Sequence, residues 1–431
     1  MTKFEKLALL TPTVNSDSLV DNILRISLDI GAGLLRSGAE IHRVELAIEK
    51  ICHAYGAAHV EVFTINSLIL ASIRMNDGSY SSQNRRITSI STNLRCMEQY
   101  NSLSRKICIE TPDFEEVDAE IREIKKKDKY PLWLILIGYI FASGGFAVFF
   151  GGSLLDALAA GIIGLVMGVL AIPKNVYGND ATKTLALSFA GGMLTCLSVM
   201  LGIGENMDMI AIGTIMLVIP GLWLSNATRD LLYADTLAGT VKTVQAVITA
   251  IMIAIGYAIS IFLLGKHCPV YSGGAPFVGH WRFVAGMISS VAGTIGFALI
   301  FKIALRKLWI VSICGLLAFV VYEGFLTLSG DILVASFASA IALALLSEIC
   351  ARVFRAPTNM FLFPGCIPII PGSALYYTMY NLLSLSFPAA LESLKVTAQT
   401  VLGIALGFML VSISFSGFTH SLAYIKAKRN K

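Results

Sequence analysis

Charge is scarce in this chain: 14% of its residues are Asp, Glu, Lys or Arg, while 55% are hydrophobic. Soluble globular domains carry roughly 25% charged residues, so a protein soluble along its whole length is excluded. The eight cysteines (Cys52, Cys96, Cys108, Cys196, Cys268, Cys314, Cys350 and Cys366) form no Cys-x-x-Cys pair and no metal-finger spacing. They read as reduced, packed thiols rather than a disulfide or zinc framework. A Gly-x-x-x-x-Gly-Lys-[Ser/Thr] phosphate loop is also absent, which argues against ATP-driven chemistry. The opening Met1 to Leu10 turns polar too quickly for a secretory signal, so the N-terminal part is expected in the cytosol. A net charge of +5 suggests nucleic acid only until the Lys and Arg residues are located; they gather at the edges of apolar runs, and no nucleic-acid partner is assigned.

What is abundant is apolar sequence in repeated blocks. Residues 1–130 are polar and charged, and from Pro131 onward runs of 18 or more apolar residues recur. Each run is long enough to cross a bilayer core of about 30 Å as a helix. The spans read as Leu132 to Phe150, Leu154 to Ile172, Thr184 to Gly202, Met209 to Ser225 and Val241 to Leu264, followed by Phe283 to Phe301, Leu308 to Leu328, Ile332 to Cys350, Met360 to Tyr380 and Val396 to Ser414. The expected fold is therefore membrane α-helical: a small cytosolic α+β domain (1–130), a first five-helix repeat (131–265) and a second (280–420).

The two repeats carry a shared passage. Val218-Ile-Pro220-Gly221 matches Ile369-Ile-Pro371-Gly372, and Ala254-Ile-Gly256 matches Ala405-Leu-Gly407 at the same interval. An odd number of spans per copy inverts the second copy in the membrane, and duplicated units with Pro-Gly inside their spans suggest a transporter. With the N-terminus inside, Lys125, Lys126, Lys127, Lys129 and the basic tail lie on the cytosolic side. Only Lys266, Arg282 and Lys395 then lie outside, beside the acidic Gly204-Glu-Asn-Met-Asp208. Both termini are expected in the cytosol, in a multi-pass protein of the cell inner (cytoplasmic) membrane.

In the first domain, Leu19, Ile23, Ile26, Ile30 and Leu34, then Ile41, Val44, Ile48 and Ile51, recur at helical spacing. His59 to Ile65 alternates like a half-buried strand, and Leu68 to Met75 is its expected partner. Phe114, Val117, Ile121 and Ile124 mark a helix behind Thr111-Pro112.

Inside hydrocarbon every peptide group needs a partner, so Pro220-Gly221 and Pro371-Gly372 imply broken helices whose freed groups face protein or a water-filled cavity. Pro364-Gly365 and Pro368 deepen the second interruption. Half-helix N-termini there suit an anionic group such as a carboxylate. After the first break come Ser225, Asn226, Arg229, Asp230 and Asp235; Arg229 suits bidentate grip of a carboxylate, and an aspartate suits an ammonium. After the second come Ser373, Tyr376 and Tyr377, which offer hydroxyls without charge. The expected substrate-binding set is Pro220, Gly221, Ser225, Asn226, Arg229, Asp230, Pro371, Gly372, Ser373 and Tyr376. Isolated acids within spans cost roughly 2.5–3.5 kcal/mol at a bilayer centre and invite a proton-relay reading. Of Asp156, Glu323 and Glu348, Asp156 is expected at the outer edge of its span and Glu348 has a simpler account in Arg352 four residues on. Asp235 and Glu323 are the expected proton-coupling residues.

Gly38-Ala-Glu40-Ile-His42-Arg43-Val-Glu45, the Pro220-Gly221 segment with Asn226, Arg229-Asp230, Asp235 and Gly239, and Pro364 through Pro371-Gly372-Ser-Ala together resemble the signatures of the threonine/serine exporter family. The resemblance spans nearly the whole chain in a fused two-half form, with His42 where Thr is common. It implies export of threonine, serine or a related metabolite driven by the proton-motive force. The partners it implies are a small solute, the lipid bilayer and protons, with a homo-oligomer compatible with the sequence. It implies no enzyme, no catalytic residue, no metal and no cofactor. Two alternatives remain: dicarboxylate (succinate-like) export through the same fold, since some relatives split between the halves are linked to it, and a membrane-anchored hydrolase using Glu40, His42 and Glu45.

Overall fold

The computed structural model of the chain describes residues 16–126, 130–173, 177–219, 227, 236–268 and 276–429. Two compact units result, one of residues 1–130 with the short segments 301–303 and 355–357, the other of the remaining chain.

The first unit is α+β. Helices α1 (Ser16–Arg36) and α2 (Ile41–Ala54) bury the expected stripes, with Ile23, Ile26, Ile30, Val44, Ile48 and Ile51 at 0–1% exposure. Between them Gly38 takes φ +91°, a left-handed conformation that ends α1 at little steric cost. Strands β1 (His59–Ile65), β2 (Leu68–Arg74) and β3 (Tyr80–Arg86) form an antiparallel sheet in the order β1-β2-β3, with Val62 opposite Ala71 and Ala71 opposite Gln83. The third strand was not expected, because Tyr-Ser-Ser-Gln-Asn-Arg-Arg has no apolar alternation. Its inward positions are polar and satisfied by α1: Ser81 donates to Asp21 Oδ1 at 2.6 Å and Arg85 Nε to Asp29 Oδ1 at 3.0 Å. Helix α3 (Leu94–Glu110), capped by Asn93 at the Cys96 amide (3.1 Å), was likewise not anticipated; its buried stripe mixes Met97 and Leu103 with Tyr100 and Ser104.

Helix α4 (Phe114–Lys126) closes the unit through a fork: Arg25 donates to both carboxylate oxygens of Asp118, at 3.0 and 2.8 Å. That hydrogen bond holds the Asp118 carboxyl below the usual carboxylate range. A carboxyl depressed on folding contributes stability that is full above its unfolded pKa of about 3.9 and is lost as pH falls through the folded value. Acidification below about pH 4 should therefore loosen α1 against α4. Hydrogen exchange of the intact protein should show this as faster exchange in both helices, and Asp118→Asn should remove part of the acid dependence.

The described residues of the second unit form helices joined by short connections, with no strand. Helices α5 (Leu132–Phe149), α6 (Leu154–Ala171), α7 (Asp180–Met200), α8 (Met207–Ile215) and α9 (Thr236–Leu264) make up the first half. Then α10 (His280–Ile300), α11 (Leu308–Ser329), α12 (Ile332–Val353), the pair α13 (Asn359–Cys366) and α14 (Gly372–Leu383), and α15 (Phe387–Arg429) make up the second. Among the described residues eight helices are long and apolar enough to cross a membrane, and the bent pair 359–382 brings the number to nine. The expected span from Met209 to Ser225 is followed as far as Ile219, and its remainder, Pro220 to Ser225, lies outside the described residues.

Contacts recur between the halves. In each, the third helix packs on the fifth: a Cβ at Gly256 would sit 2.7 Å from Ser188 Cβ, and one at Gly407 would sit 2.6 Å from Ala340 Cβ. The first helices of the two halves, α5 and α10, cross antiparallel and nearly touch through backbone. A Cβ at Gly145 would meet the Gly293 nitrogen at 2.9 Å and the Ser289 carbonyl at 3.3 Å. A Cβ at Gly296 would overlap the Ala142 nitrogen and lie 2.7 Å from the Gly138 carbonyl. At the interval that separates Pro220 from Pro371, Gly145 corresponds to Gly296, Ala142 to Gly293 and Gly138 to Ser289. Each contact thus has its reciprocal, and the corresponding Phe146 and Phe297 face each other at 5.9 Å between ring centroids.

Candidate functional site

The second Pro-Gly passage is a true interruption. Helix α13 passes into a 3-10 turn at Ile367–Ile369, Ile370 is extended (ψ 133°), and α14 restarts at Gly372 with its axis turned by 49°. Residues 359–372 are all buried, so the freed peptide groups sit inside protein, as hydrocarbon requires. Ser373 is half-buried one residue further on.

What the break touches is the other half of the unit. A Cβ on Gly372 would collide with Met216 Sδ and lie 3.4 Å from Ile219 Cδ1, in the segment that leads into Pro220. Two passages that match in sequence therefore approach each other in space. Tyr376 on α14 is 2% exposed, and its hydroxyl donates to Asp208 Oδ1 on α8 at 2.9 Å. Tyr377 and Tyr380 pack on the Tyr376 ring at 5.2 and 6.0 Å. Beside it, Thr214 and Tyr257 share a buried hydrogen bond of 2.7 Å, and Ile212, Ile215 and Ile253 complete the wall.

The position of Asp208 is fixed from further away. Asp156 is 1% exposed; its Oδ2 accepts from the Ser153 amide and its Oδ1 from the Glu205 and Asn206 amides, all at 2.8 Å. Asn206 then caps α8 at the Asp208 amide (3.1 Å). A carboxylate saturated by three amides is a clasp for the α7–α8 connection, so the relay reading of Asp156 gives way to a structural one. Glu348 pairs with Arg352 at 3.6 Å, as the helical spacing indicated, and also accepts from Thr358 at 3.0 Å.

Of the residues expected to bind substrate, Pro371, Gly372, Ser373 and Tyr376 lie together at this break. Pro220, Gly221, Ser225, Asn226, Arg229, Asp230 and the coupling candidate Asp235 lie outside the described residues. Glu323, on α11, is half-buried, and among the described residues its carboxylate has no hydrogen bond or ion pair. Asp208 was missed as a partner because it read as part of an acidic outer loop; its position two residues before the buried run Ile210 to Met216 was the available signal.

The family motif in the first unit does local structural work. Glu40 pairs with Arg43 at 3.3 Å across the first turn of α2, and Glu45 Oε1 accepts the Thr64 amide of β1 at 2.8 Å. His42 points to solvent, and among the described residues no three His, Cys, Asp or Glu side chains gather as a metal site. Cys52, buried under α1, has its thiol pushed up to about 11 by desolvation, the opposite of an activated nucleophile.

The Tyr376–Asp208 bond joins the two halves beside the break. A hydrogen bond to a charged acceptor contributes about 1.5–3 kcal/mol. Tyr376→Phe should accordingly slow solute flux about tenfold or more at normal protein yield, as measured in reconstituted vesicles. Unchanged flux would reduce the bond to a helix pin.

A threonine/serine exporter family model matches residues 25–264, and a second, described as Threonine/Serine exporter, ThrE, matches residues 286–414. A threonine/serine exporter of Corynebacterium glutamicum is 21% identical over 411 residues, covering 91% of this chain and 82% of the relative. Pheromone-regulated membrane protein 10 of Kluyveromyces lactis is 25% identical over 182 residues, 40% of this chain and 19% of that protein. No solved structure matches. With both family models matched in order along one polypeptide and apolar helices throughout its second unit, this chain belongs to the threonine/serine exporter family, as a multi-pass membrane protein in the fused two-half form.

Proposed function

We propose that the chain exports small hydrophilic amino acids, threonine and serine foremost, across the cytoplasmic membrane as a proton-motive-force-driven secondary transporter. The observation that carries the reading is the approach of Gly372 to Met216 and Ile219, which brings the second interruption against the approach to the first. In this reading ten spans form two inverted five-helix repeats behind a cytosolic domain, with both termini in the cytosol. The reciprocal, antiparallel crossing of α5 and α10 supports it, because a two-fold axis relating two antiparallel spans must lie in the membrane plane. The substrate-binding residues are Pro371, Gly372, Ser373 and Tyr376 from the second passage and Pro220, Gly221, Ser225, Asn226, Arg229 and Asp230 from the first and the residues that follow it. Arg229 grips the carboxylate and an aspartate receives the ammonium. Asp235 and Glu323 carry the coupled proton; a Glu323 carboxylate with no ion pair or hydrogen bond among the described residues supports its part.

Purified protein in proteoliposomes with an imposed pH gradient tests the whole. Threonine or serine flux that follows the gradient and outcompetes succinate is expected. Gradient-independent background, beside an active positive control, would remove the proposal.

A further inference from the structure

The interval that relates Pro220 to Pro371 also relates Asp208 to Asn359. Both residues open the fourth span of their half, Asp208 in the first turn of α8 and Asn359 at the start of α13. Their surroundings differ. The Asp208 carboxylate holds the Tyr376 hydroxyl at 2.9 Å. Asn359 is 1% exposed, and among the described residues neither its Oδ1 nor its Nδ2 has a hydrogen-bond partner.

A side-chain amide stripped of water with both donor and acceptor unmet is rare, because the desolvation of each group goes uncompensated. Its neighbours offer no relief. The Thr358 hydroxyl is committed to Glu348 Oε1 at 3.0 Å, and Glu348 in turn to Arg352 at 3.6 Å. Next along the helix, Met360 Sδ accepts from the buried Lys307 ammonium at 3.7 Å.

From this geometry we infer that Asn359 is a substrate-contacting residue for a zwitterionic α-amino acid. Its Nδ2 donates to the carboxylate, and its Oδ1 accepts from the ammonium. The inference rests on the transport reading above and adds a residue and a chemical preference to it. A dicarboxylate brings no donor at neutral pH, so it leaves Oδ1 unmet, and discrimination against it follows.

Asn359→Leu is nearly isosteric and removes both unmet polar atoms, and Asn359→Asp keeps the shape while losing the donors. Each is compared with the wild-type protein by the rise in melting temperature that L-threonine produces in detergent, and by threonine and succinate flux in proteoliposomes. The expected result is a threonine-induced rise in the wild type that disappears in both variants. Half-saturating threonine for flux rises tenfold or more, and Asn359→Leu melts at or above the wild-type temperature without ligand. Asn359→Leu retaining the full threonine-induced rise and unchanged half-saturation would overturn the inference while leaving the transport reading intact. A wild type that neither transports nor is stabilised by threonine would overturn both.

Discussion

Gly296→Val is expected to abolish a folded membrane unit, with no monodisperse protein after detergent extraction and size-exclusion chromatography. The reason is what a side chain at this position would strike. A Cβ there overlaps the Ala142 nitrogen and approaches the Gly138 carbonyl at 2.7 Å and Ala142 Cα at 2.8 Å, all backbone atoms of α5. Overpacking against movable side chains costs about 1–3 kcal/mol. Here two helices must separate, and the Phe146–Phe297 contact and the packing of Phe146 over Gly293 go with them. Gly324 on α11 is the internal control: a Cβ there meets nothing within 4 Å, so Gly324→Ala should extract normally. A well-behaved Gly296→Val protein would mean that α5 and α10 do not cross this closely.

Arg229→Ala is expected to lower threonine and serine flux by roughly 10–100-fold or more, with insertion and yield unchanged. That range is what about 1.5–3 kcal/mol for a hydrogen bond to a charged group yields, and a bidentate guanidinium–carboxylate pair makes two such bonds. Arg229→Lys should recover little, because an ammonium keeps the charge but not the planar fork. Normal flux in Arg229→Ala would demote the residue to an ordinary loop cation.

How far the site could be read in advance varies residue by residue. Pro371-Gly372 announced its break, since a proline removes a helical donor and the doubled Pro364 and Pro368 leave no room for a regular helix. Tyr376 was legible as a hydroxyl one turn beyond. Its partner was not: Asp208 and Tyr376 are 168 residues apart, and nothing local marks their meeting. Asp156 was misleading for a related reason. An acid inside an apolar run looks expensive until the amides of Glu205 and Asn206, donated by a different segment, are seen to satisfy it. In the first unit β3 escaped because its inward face is Ser81, Gln83 and Arg85, whose burial is compensated by Asp21 and Asp29 on α1 rather than by apolar packing.

By itself, then, the order of residues determined that the chain carries many apolar helices of membrane length, roughly where those helices lie, that one passage occurs twice, and which residue types flank it. Those properties are local: hydrophobic length, proline and glycine chemistry, and capping act within a few residues along the chain. Only the tertiary structure decided which atoms face each other. It brought Gly372 against Met216, paired Tyr376 with Asp208, let Gly145 and Gly296 exchange equivalent contacts across α5 and α10, and left the Asn359 amide without a hydrogen-bond partner among the described residues. Such pairings depend on how packed helices place distant residues, and no periodicity in a one-dimensional string encodes that geometry.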